Sequence, residues 1–228
     1  MDIVKTKMLI TITDKNKNRK IINLYKKHNV KYSLVLNGSG TASGSLLEYF
    51  GLEDVEKRII ISIIPESLEG ILMYDLHKKI KIYEPGKGIA FSLRINSASR
   101  YLSTIYENPQ KEVIRMKNDK DYELIVLIVS EGYAQTAMDA AKRKKAGGGT
   151  LIKGVGLGSA EATKILGITI ELEKDVVLIL TEKNNKKEVM KEISESVGLA
   201  TEGRGICFSL PVDNVIGLQE NIKFEQIS

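Results

Sequence analysis

Residues that carry much of protein chemistry are scarce in this sequence of 228 residues, which has one cysteine, two histidines and no tryptophan. The single cysteine, Cys207, cannot form an internal disulfide, so we expect a reducing, cytoplasmic environment. Apolar runs such as Ile59–Ile64 are long enough only for strands, which excludes a membrane span. No apolar segment of signal-peptide length follows the N-terminus.

Charge of either sign is not in large excess. The formal net charge is +5 at pH 7, and a composition of 28% charged and 43% hydrophobic residues is ordinary for a globular protein. A charge this small fits solubility better than a specialised anionic partner. RNA binding by a sheet would need exposed aromatic residues, whereas the expected central strands are aliphatic, as in Leu9-Ile10 and Val176-Val177. We therefore predict no nucleic-acid partner.

An internal duplication organises the sequence. A shift of 116 positions brings Gly38-Ser39-Gly40 onto Gly154-Val155-Gly156. A shift of 117 brings residues 86–93 onto residues 203–210, and six of those eight positions are identical. Chance does not produce such a match, so the chain holds two copies of one module.

Each copy shows the same succession of elements. Apolar runs predict strands at Met8–Thr13, Tyr32–Leu36, Arg58–Ile64 and Gly86–Leu93, and at Tyr122–Val129, Thr150–Lys153, Lys174–Thr181 and Gly203–Leu210. Apolar residues at helical spacing predict two helices in each copy, marked by Ile21, Leu24, Tyr25, Leu68, Ile71, Leu72 and Leu76 and by Ala134, Ala137, Met138, Ala141, Val189, Met190, Ile193 and Val197.

The order βαββαβ predicts an α+β fold of two ferredoxin-like domains in tandem, each a four-stranded antiparallel sheet with helices on one face. The open face of such a sheet needs a partner, so we expect a homo-oligomer. We place the domains at residues 1–95 and 122–228, joined by a linker or arm at residues 96–121. The polar tail Asn221–Ser228 is expected to fray.

Catalytic constellations are missing, so we do not predict an enzyme. His28 and His77 have no histidine at the matching position of the other copy, and we expect them at surface or cap positions. Cys207 aligns with Ala90 and is expected to be a core thiol. No cysteine or histidine pair has metal-ligand spacing, and neither a nucleophile elbow nor a Walker motif occurs. No metal and no required cofactor are predicted.

Glycine turns are the candidate ligand contacts. The first set ends the second strand of each copy and comprises Gly38, Gly40, Gly154 and Gly156. Glycine lets the backbone approach a ligand closely, although a plain turn or bulge explains the same residues equally well. The second set precedes the fourth strand and comprises Gly86, Lys87, Gly88, Gly203, Arg204 and Gly205. Two glycines that flank a cation make a compact anion-binding turn, and the alternative is a hairpin-like turn with a solvated cation.

Cations also open the third strand of each copy, at the equivalent positions Arg58 and Lys174. A cation at a strand edge usually deters aggregation, and that is the interpretation favoured by the pattern alone.

Three segments resemble the P-II nitrogen-regulatory family. Gly148–Gly156 is similar to the second strand of that family, which ends in a sequence like Val-Lys-Gly-Phe-Gly. Gly203–Val212 resembles the family's B-loop and following strand, and Leu172–Lys174 lies where the family has Leu-Pro-Lys. The resemblance covers Tyr122–Val212 and extends through the repeat to Lys7–Leu93.

The resemblance implies a ferredoxin-like, usually trimeric regulator. Members bind ATP or ADP in clefts between subunits and act on a protein target through a long T-loop. Matching positions would place Gly38, Gly40, Gly154 and Gly156 at the base of the T-loop against the nucleotide. They would place Gly86, Gly88, Gly203 and Gly205 in the B-loop, and Arg58 and Lys174 near the phosphates.

The sequence also departs from the family. The B-loop lysine falls on Ile206 and Ile89, and the C-terminal pair of arginines has no counterpart in Pro211–Asn221. The loop Gly156–Gly167 looks short and helical. The fold and the regulatory role therefore transfer better than the ATP ligand does.

The combined expectation is a P-II-like regulator of nitrogen utilisation that senses a small effector, such as ATP or ADP, at clefts between domains and controls a protein partner. The alternative is an amino-acid-binding regulatory module of the ACT type, which shares the βαββαβ order and uses a glycine turn for ligand contact.

Overall fold

The computed structural model describes residues 5–41, 55–98, 105–106, 113–118, 120–156, 163–165, 168–170, 173–218 and 222–227. Its strands are β1 (Thr6–Asp14), β2 (Tyr32–Gly40), β3 (Val55–Pro65), β4 (Gly88–Arg94), β5 (Val113–Lys117), β6 (Tyr122–Ser130), β7 (Gly149–Val155), β8 (Thr163–Ile165), β9 (Ile168–Ile170), β10 (Glu173–Glu182), β11 (Ile206–Val212), β12 (Asn214–Ile216) and β13 (Lys223–Ile227). Its helices are α1 (Asn18–Lys27), α2 (Glu66–Lys78), α3 (Ala134–Arg143) and α4 (Lys186–Val197). No helix in these ranges is long and apolar enough to cross a membrane.

The chain divides into two compact units that are not continuous in sequence. Unit 1 holds residues 1–37, 56–122 and 211–228, and unit 2 holds residues 38–55 and 123–210. The boundaries expected from the repeat, 1–95 and 122–228, differ from this division in three places: residues 38–55 belong to unit 2, and residues 96–121 and 211–228 belong to unit 1.

Unit 1 contains the first βαββαβ succession, and its strand order is β2-β3-β1-β4-β12. β1 pairs antiparallel with both β3 and β4. α1 and α2 cover one face, where Ile21, Leu24, Leu72 and Leu76 pack in one core with Leu9 of β1. The apolar periodicity produces this arrangement, because residues three and four apart on a helix lie on the same face.

Part of the opposite face of the unit 1 sheet is also buried. Ile10 and Ile12 of β1 are each 5% exposed, and Phe91 of β4 is 1% exposed. These side chains alternate with the helix-facing residues, because successive side chains of a strand point to opposite faces. The face that was predicted to be open is therefore buried in part in unit 1, at Ile10, Ile12 and Phe91.

The C-terminal segment completes unit 1. β12 adds to the edge of β4, with Val215 opposite Phe91, and β13 pairs antiparallel with β5. The ring of Phe224 in β13 packs at 90° to Tyr74, with the ring centroids 5.3 Å apart. The prediction that the tail Asn221–Ser228 frays was therefore wrong, because Lys223–Ile227 forms a paired strand.

A buried charge network fixes β12 to unit 1. Lys7 Nζ lies 2.6 Å from Glu69 Oε2 and 3.1 Å from Asp213 Oδ2. Asn214 Nδ2 donates to Glu69 Oε1 at 2.9 Å, and the hydroxyl of Ser92 donates to the same carboxylate. Burial lowers the pKa of Lys7, but the hydrogen bonds and charges of Glu69 and Asp213 outweigh burial and raise it overall.

Unit 2 contains the second βαββαβ succession, and its strand order is β11-β6-β10-β7-β2. Only Gly38–Gly40 of β2 belong to this unit. Ser39 and Gly40 pair antiparallel with Leu151 and Thr150 of β7. The core lies between the sheet and α3 and α4, and it contains Ile125, Leu127, Ala137, Met138, Val177, Ile179, Val189 and Ile193.

The charge network of unit 1 is inverted in unit 2. The repeat places Glu123 at the position of Lys7 and Lys186 at the position of Glu69. Lys186 Nζ lies 2.9 Å from Glu123 Oε1, so the ion pair is kept with its signs exchanged. Two substitutions that compensate each other preserve a buried pair, whereas either alone would bury two like charges.

The α+β class and the antiparallel pairing are confirmed. The structure does not show the predicted pair of four-stranded sheets. The strand order of each unit has five described strands, and β2 belongs to both strand orders. Within the loop Gly156–Gly167, which was expected to be helical, residues 163–165 form strand β8, which pairs antiparallel with β9. Residues 157–162 and 166–167 of that loop lie outside the described residues. His77 was expected at a surface or cap position; it lies in the last turn of α2 but is 3% exposed, with its ring tilted against that of Tyr83 at a centroid distance of 4.6 Å.

Candidate functional site

Ser130 connects two of the predicted site segments of unit 2. It is the last residue of β6, and its backbone N–H donates to the carbonyl of Gly203 at 2.9 Å. Lys174 Nζ donates to the Ser130 hydroxyl at 3.4 Å. The cation that opens β10 and the Gly203-Arg204-Gly205 turn that precedes β11 therefore meet at the end of β6.

Gly154 lies beside the same group. It is the register partner of Lys174 in the antiparallel pair of β7 and β10. Among the described residues, a Cβ atom added at Gly154 would meet only Lys174 O, at 3.9 Å, which is an ordinary contact. Neither close packing against a described residue nor a left-handed backbone requires glycine at this position, so the backbone of Gly154 is open to approach by another group.

The turn before β11 needs its glycines for packing. A Cβ at Gly205 would lie 2.4 Å from Val197 O and 2.8 Å from a methyl carbon of Val129. A Cβ at Gly203 would lie 3.0 Å from Val197 Cβ. Arg204 between them is exposed and has a φ of 44°, a left-handed conformation that is uncommon for a residue with a side chain. Packing alone therefore accounts for both glycines of this turn.

A carboxylate cluster that was not predicted lies at the same end of the sheet. Asp175, 1% exposed, accepts a hydrogen bond from the backbone N–H of Gly132 at 3.0 Å. Lys153 Nζ lies 2.9 Å from Asp175 Oδ1 and 3.1 Å from Glu131 Oε1. The hydrogen bond to Asp175 is the largest cause of the raised pKa of Lys153, and the hydrogen bond to Glu131 adds to it.

The sequence does contain a signal for this cluster. Asp175 interrupts the alternation of a buried strand, and the first copy has Ile59 at that position. A buried carboxylate needs partners, so this substitution marks a polar contact that the first copy does not make. The Asp175–Gly132 bond fixes the turn between β6 and α3 next to Ser130.

At the corresponding end of the unit 1 sheet, Lys57 and Asp14 form an ion pair. Lys57 Nζ lies 2.5 Å from Asp14 Oδ1 and donates to the carbonyl of Gly86 at 2.9 Å. Arg58, opposite Thr13 in the sheet, donates to the neighbouring carbonyl of Lys57 at 3.2 Å. The cation nearest the glycine turn is thus Lys57 and not the predicted Arg58.

The second turn of unit 1 is held by its backbone. The hydroxyl of Thr13 donates to the carbonyl of Lys87 at 3.1 Å. Gly88 has a φ of 143°, and a Cβ there would lie 2.2 Å from Ile12 O. Gly86 has a φ of 75° with open space around it, so its conformation alone requires glycine.

The first glycine pair does not form a turn. Gly38 and Gly40 lie within β2, and Gly40 is opposite Thr150. Thr41 closes the pairing, because its N–H donates to the carbonyl of Gly149 at 2.9 Å and its hydroxyl accepts from the N–H of Gly149 at 2.9 Å. Gly154 lies four residues further along β7 than Thr150, the residue opposite Gly40. At strand spacing this separates Gly154 from the level of Gly40 by about 13 Å. Gly156 follows the end of β7.

The site in unit 2 offers several groups that can bind a ligand. Lys174, Arg204 and Lys153 supply positive charge, Ser130 supplies a hydroxyl, and Asp175 and Glu131 neutralise Lys153. Within the described ranges, no group of three or more histidine, cysteine, aspartate or glutamate residues is placed to hold a metal ion. The arrangement suits an anionic group held by Lys174 and the bare backbone at Gly154.

The chain is similar to several solved structures at low sequence identity. No protein-family model matches the chain, and no curated protein matches its sequence significantly. CPII from Thiomonas intermedia K12, solved bound to ADP, AMP and acetate, is similar over 45% of this chain and 98% of its own, at 20% identity and a TM-score of 0.33.

Two further solved structures are similar at comparable distance. A Bacillus cereus protein related to NIF3 matches 46% of this chain and 29% of its own length, at 12% identity and a TM-score of 0.30. A protein described as a glycine cleavage system transcriptional repressor matches 94% of this chain and 99% of its own, at 10% identity and a TM-score of 0.25.

Proposed function

We propose that this protein is a regulator that binds a small anionic effector in unit 2, where Lys174, Gly154 and the turn at Gly203 lie around Ser130. The observation that carries the proposal is that Ser130 bonds to both Lys174 and Gly203. Two segments singled out from the sequence, distant along the chain, are thereby joined at one end of the sheet, and Gly154 lies opposite Lys174 in the same sheet.

The anion would be held by Lys174 and by backbone groups next to Gly154. Lys174 makes a long hydrogen bond of 3.4 Å to Ser130, so its amino group can exchange that neutral partner for a charged one at little cost. A phosphate or a carboxylate meets this requirement. Among phosphate-bearing effectors we propose an adenine nucleotide, in keeping with the resemblance of Gly148–Gly156 and Gly203–Val212 to the P-II family.

Regulation requires that the effector bind one conformation of the protein better than another. The segments around Ser130 are suited to such a difference, because the turn after β6 is anchored by Asp175 while Lys174 changes partner on binding. The effector-bound form would then present a different surface to a protein target in the cytoplasm. In this proposal the protein acts by binding and not as an enzyme.

Thermal unfolding of the full chain with ATP, ADP, AMP, 2-oxoglutarate and single amino acids tests the proposal. A ligand at about 100 times its Kd should raise the Tm by about 5–10 °C. Lys174→Ala and Gly154→Ala should remove this shift, while Lys191→Ala, on the exposed side of α4, should keep it.

Each outcome has a definite meaning. If none of these compounds raises the Tm, the proposal is overturned. If only amino acids do so, the ACT-type alternative replaces the nucleotide version. If Lys174→Ala keeps the full shift, the effector binds elsewhere and the site assignment is wrong.

A further inference from the structure

The two repeat-equivalent edge strands differ in how they are covered. In unit 1, β4 has β1 on one side and β12 on the other. In unit 2, the equivalent strand β11 has only β6 as a neighbour among the described strands. An uncovered edge offers unpaired backbone N–H and C=O groups, which are a template for another strand.

The side chains of β11 are exposed where those of β4 are buried. Ile206, Phe208 and Leu210 are 47%, 44% and 36% exposed. Phe91 and Leu93, the counterparts of the last two in unit 1, are 1% and 5% exposed. Ile206, Phe208 and Leu210 point to the same face because they alternate along the strand, and together they form an apolar row.

A strand equivalent to β12, from another copy of the chain, does not fit this edge. In unit 1, Asp213 meets Lys7, but unit 2 has Glu123 at that position. Asp213 would therefore face a like charge that is 8% exposed. The inverted ion pair thus favours pairing of β12 with unit 1 and disfavours pairing of a second β12 with β11, so the partner of β11 must be a different strand.

The backbone of β11 restricts how another strand can pair. In unit 1, the carbonyl of Ser92 faces β12, because it accepts from the N–H of Asp213 at 3.0 Å. The equivalent residue Ser209, and Cys207 two positions before it, therefore face the open edge. Pro211 is next in this alternation but has no N–H, and the N–H of Gly205 is already bonded to Val197 O at 2.7 Å.

We propose that β11 pairs antiparallel with β11 of a second copy of this chain, about a two-fold axis at Phe208. In this register Cys207 faces the second copy's Ser209, and Ser209 faces the second copy's Cys207. These two pairs exchange four N–H···O bonds and avoid Pro211. A register centred on Ser209 would place Cys207 opposite proline, and one centred on Cys207 would need the bonded N–H of Gly205.

The side chains are also self-complementary in this register. Phe208 lies beside its own copy, and Ile206 lies opposite the second copy's Leu210. Residues 206–212 carry no charge, so pairing the strand with itself brings no like charges together. The interface would be isologous, with the same strand contributed by both chains.

Analytical ultracentrifugation of the full chain over a range of concentrations tests the proposal. The expected species has twice the 25.3 kDa mass of one chain. Phe208→Lys should shift the protein to the monomer, because it places two like charges on the axis. Leu199→Lys replaces another exposed apolar residue of unit 2, 71% exposed, and should leave the dimer intact.

A second variant tests the register itself. Ser209→Cys places a thiol opposite the second copy's Cys207, at about 5.5 Å between Cα atoms, which is within disulfide range. Mild oxidation should then give a covalent dimer, while the unaltered chain, with Cys207 alone, should not cross-link. A monomeric wild type, or a dimer that survives Phe208→Lys with circular dichroism unchanged, would overturn the proposal.

Discussion

Tyr25 places a phenol in the interior of unit 1, where burial raises its pKa. Its hydroxyl lies 2.5 Å from Thr11 Oγ1. The unfolded chain ionises its tyrosines near pH 10, whereas folded Tyr25 keeps its proton to higher pH. The folded state therefore binds more protons above about pH 10, and the free energy of unfolding falls as the pH rises. Lys7 acts in the same direction, because its raised pKa gives stability that is lost in alkali.

We predict that Tyr25→Phe reduces the alkaline loss of stability. The variant should be about 1 kcal/mol less stable at neutral pH, because Thr11 loses its partner. Its free energy of unfolding should then fall less than that of the wild type between pH 9 and pH 11, measured by urea denaturation. Tyr32→Phe, at a half-exposed position, is the control and should follow the wild-type profile. Parallel profiles for Tyr25→Phe and the wild type would contradict the prediction.

Two glycines of unit 2 should respond oppositely to a methyl group. Gly205→Ala forces a Cβ to within 2.4 Å of Val197 O and should destabilise the protein by about 2–3 kcal/mol. The Cβ of Gly154→Ala meets no described atom closer than 3.9 Å, and the substitution should change stability by less than about 1 kcal/mol. Chemical denaturation measures both. Equal losses would show that Gly154 is also required for packing, which would remove one support of the proposed effector site.

At the scale of elements, the ion pairs under the first helical turns of α2 and α4 can be compared directly. Lys7→Met should cost about 3 kcal/mol or more, because it leaves Glu69 and Asp213 without their shared cation. Lys186→Met should cost less, because Lys186 is 26% exposed and water partly replaces it beside Glu123. Urea denaturation of both variants checks the order. A larger loss for Lys186→Met would refute this account of the inversion.

Local periodicity is enough to predict most elements and their buried faces. Ile21, Leu24 and Tyr25 were expected to face the core from their spacing, and all three are buried. The strands of both copies were also expected, although β2 and β3 extend beyond the predicted ends. These features depend on neighbours in sequence, which is the information that a pattern contains.

The remaining features depend on partners far along the chain. β12 and β13 are short, and they become strands because β4 and β5 supply the other half of each ladder. His77 is buried partly because Phe224 lies against it, at 5.5 Å between ring centroids. In the candidate site, the glycines were visible in the sequence, but Ser130 was not, since a serine at a strand end has no pattern of its own.

At the scale of the whole molecule, Asp213 links the C-terminal segment to the start of the chain. We predict that Asp213→Lys loosens unit 1 and leaves unit 2 largely unchanged, because the new cation faces both Lys7 and Arg94. Hydrogen exchange should show faster exchange for the amides of β4 and β12, with those of β6 and β10 near the wild-type rate. Glu195→Lys, on the exposed face of α4, serves as the control.

The assignment of residues 211–228 to unit 1 has a consequence for how the chain is made. The N-terminal unit cannot acquire its last two strands until residues 123–210 have been translated, a delay on the order of ten seconds at ordinary ribosomal rates. Unit 2 can gather its segments before that time. The first half of the polypeptide to emerge from the ribosome is therefore the last to be finished, and until then the edge of β4 is open to pairing with a strand from a neighbouring nascent chain.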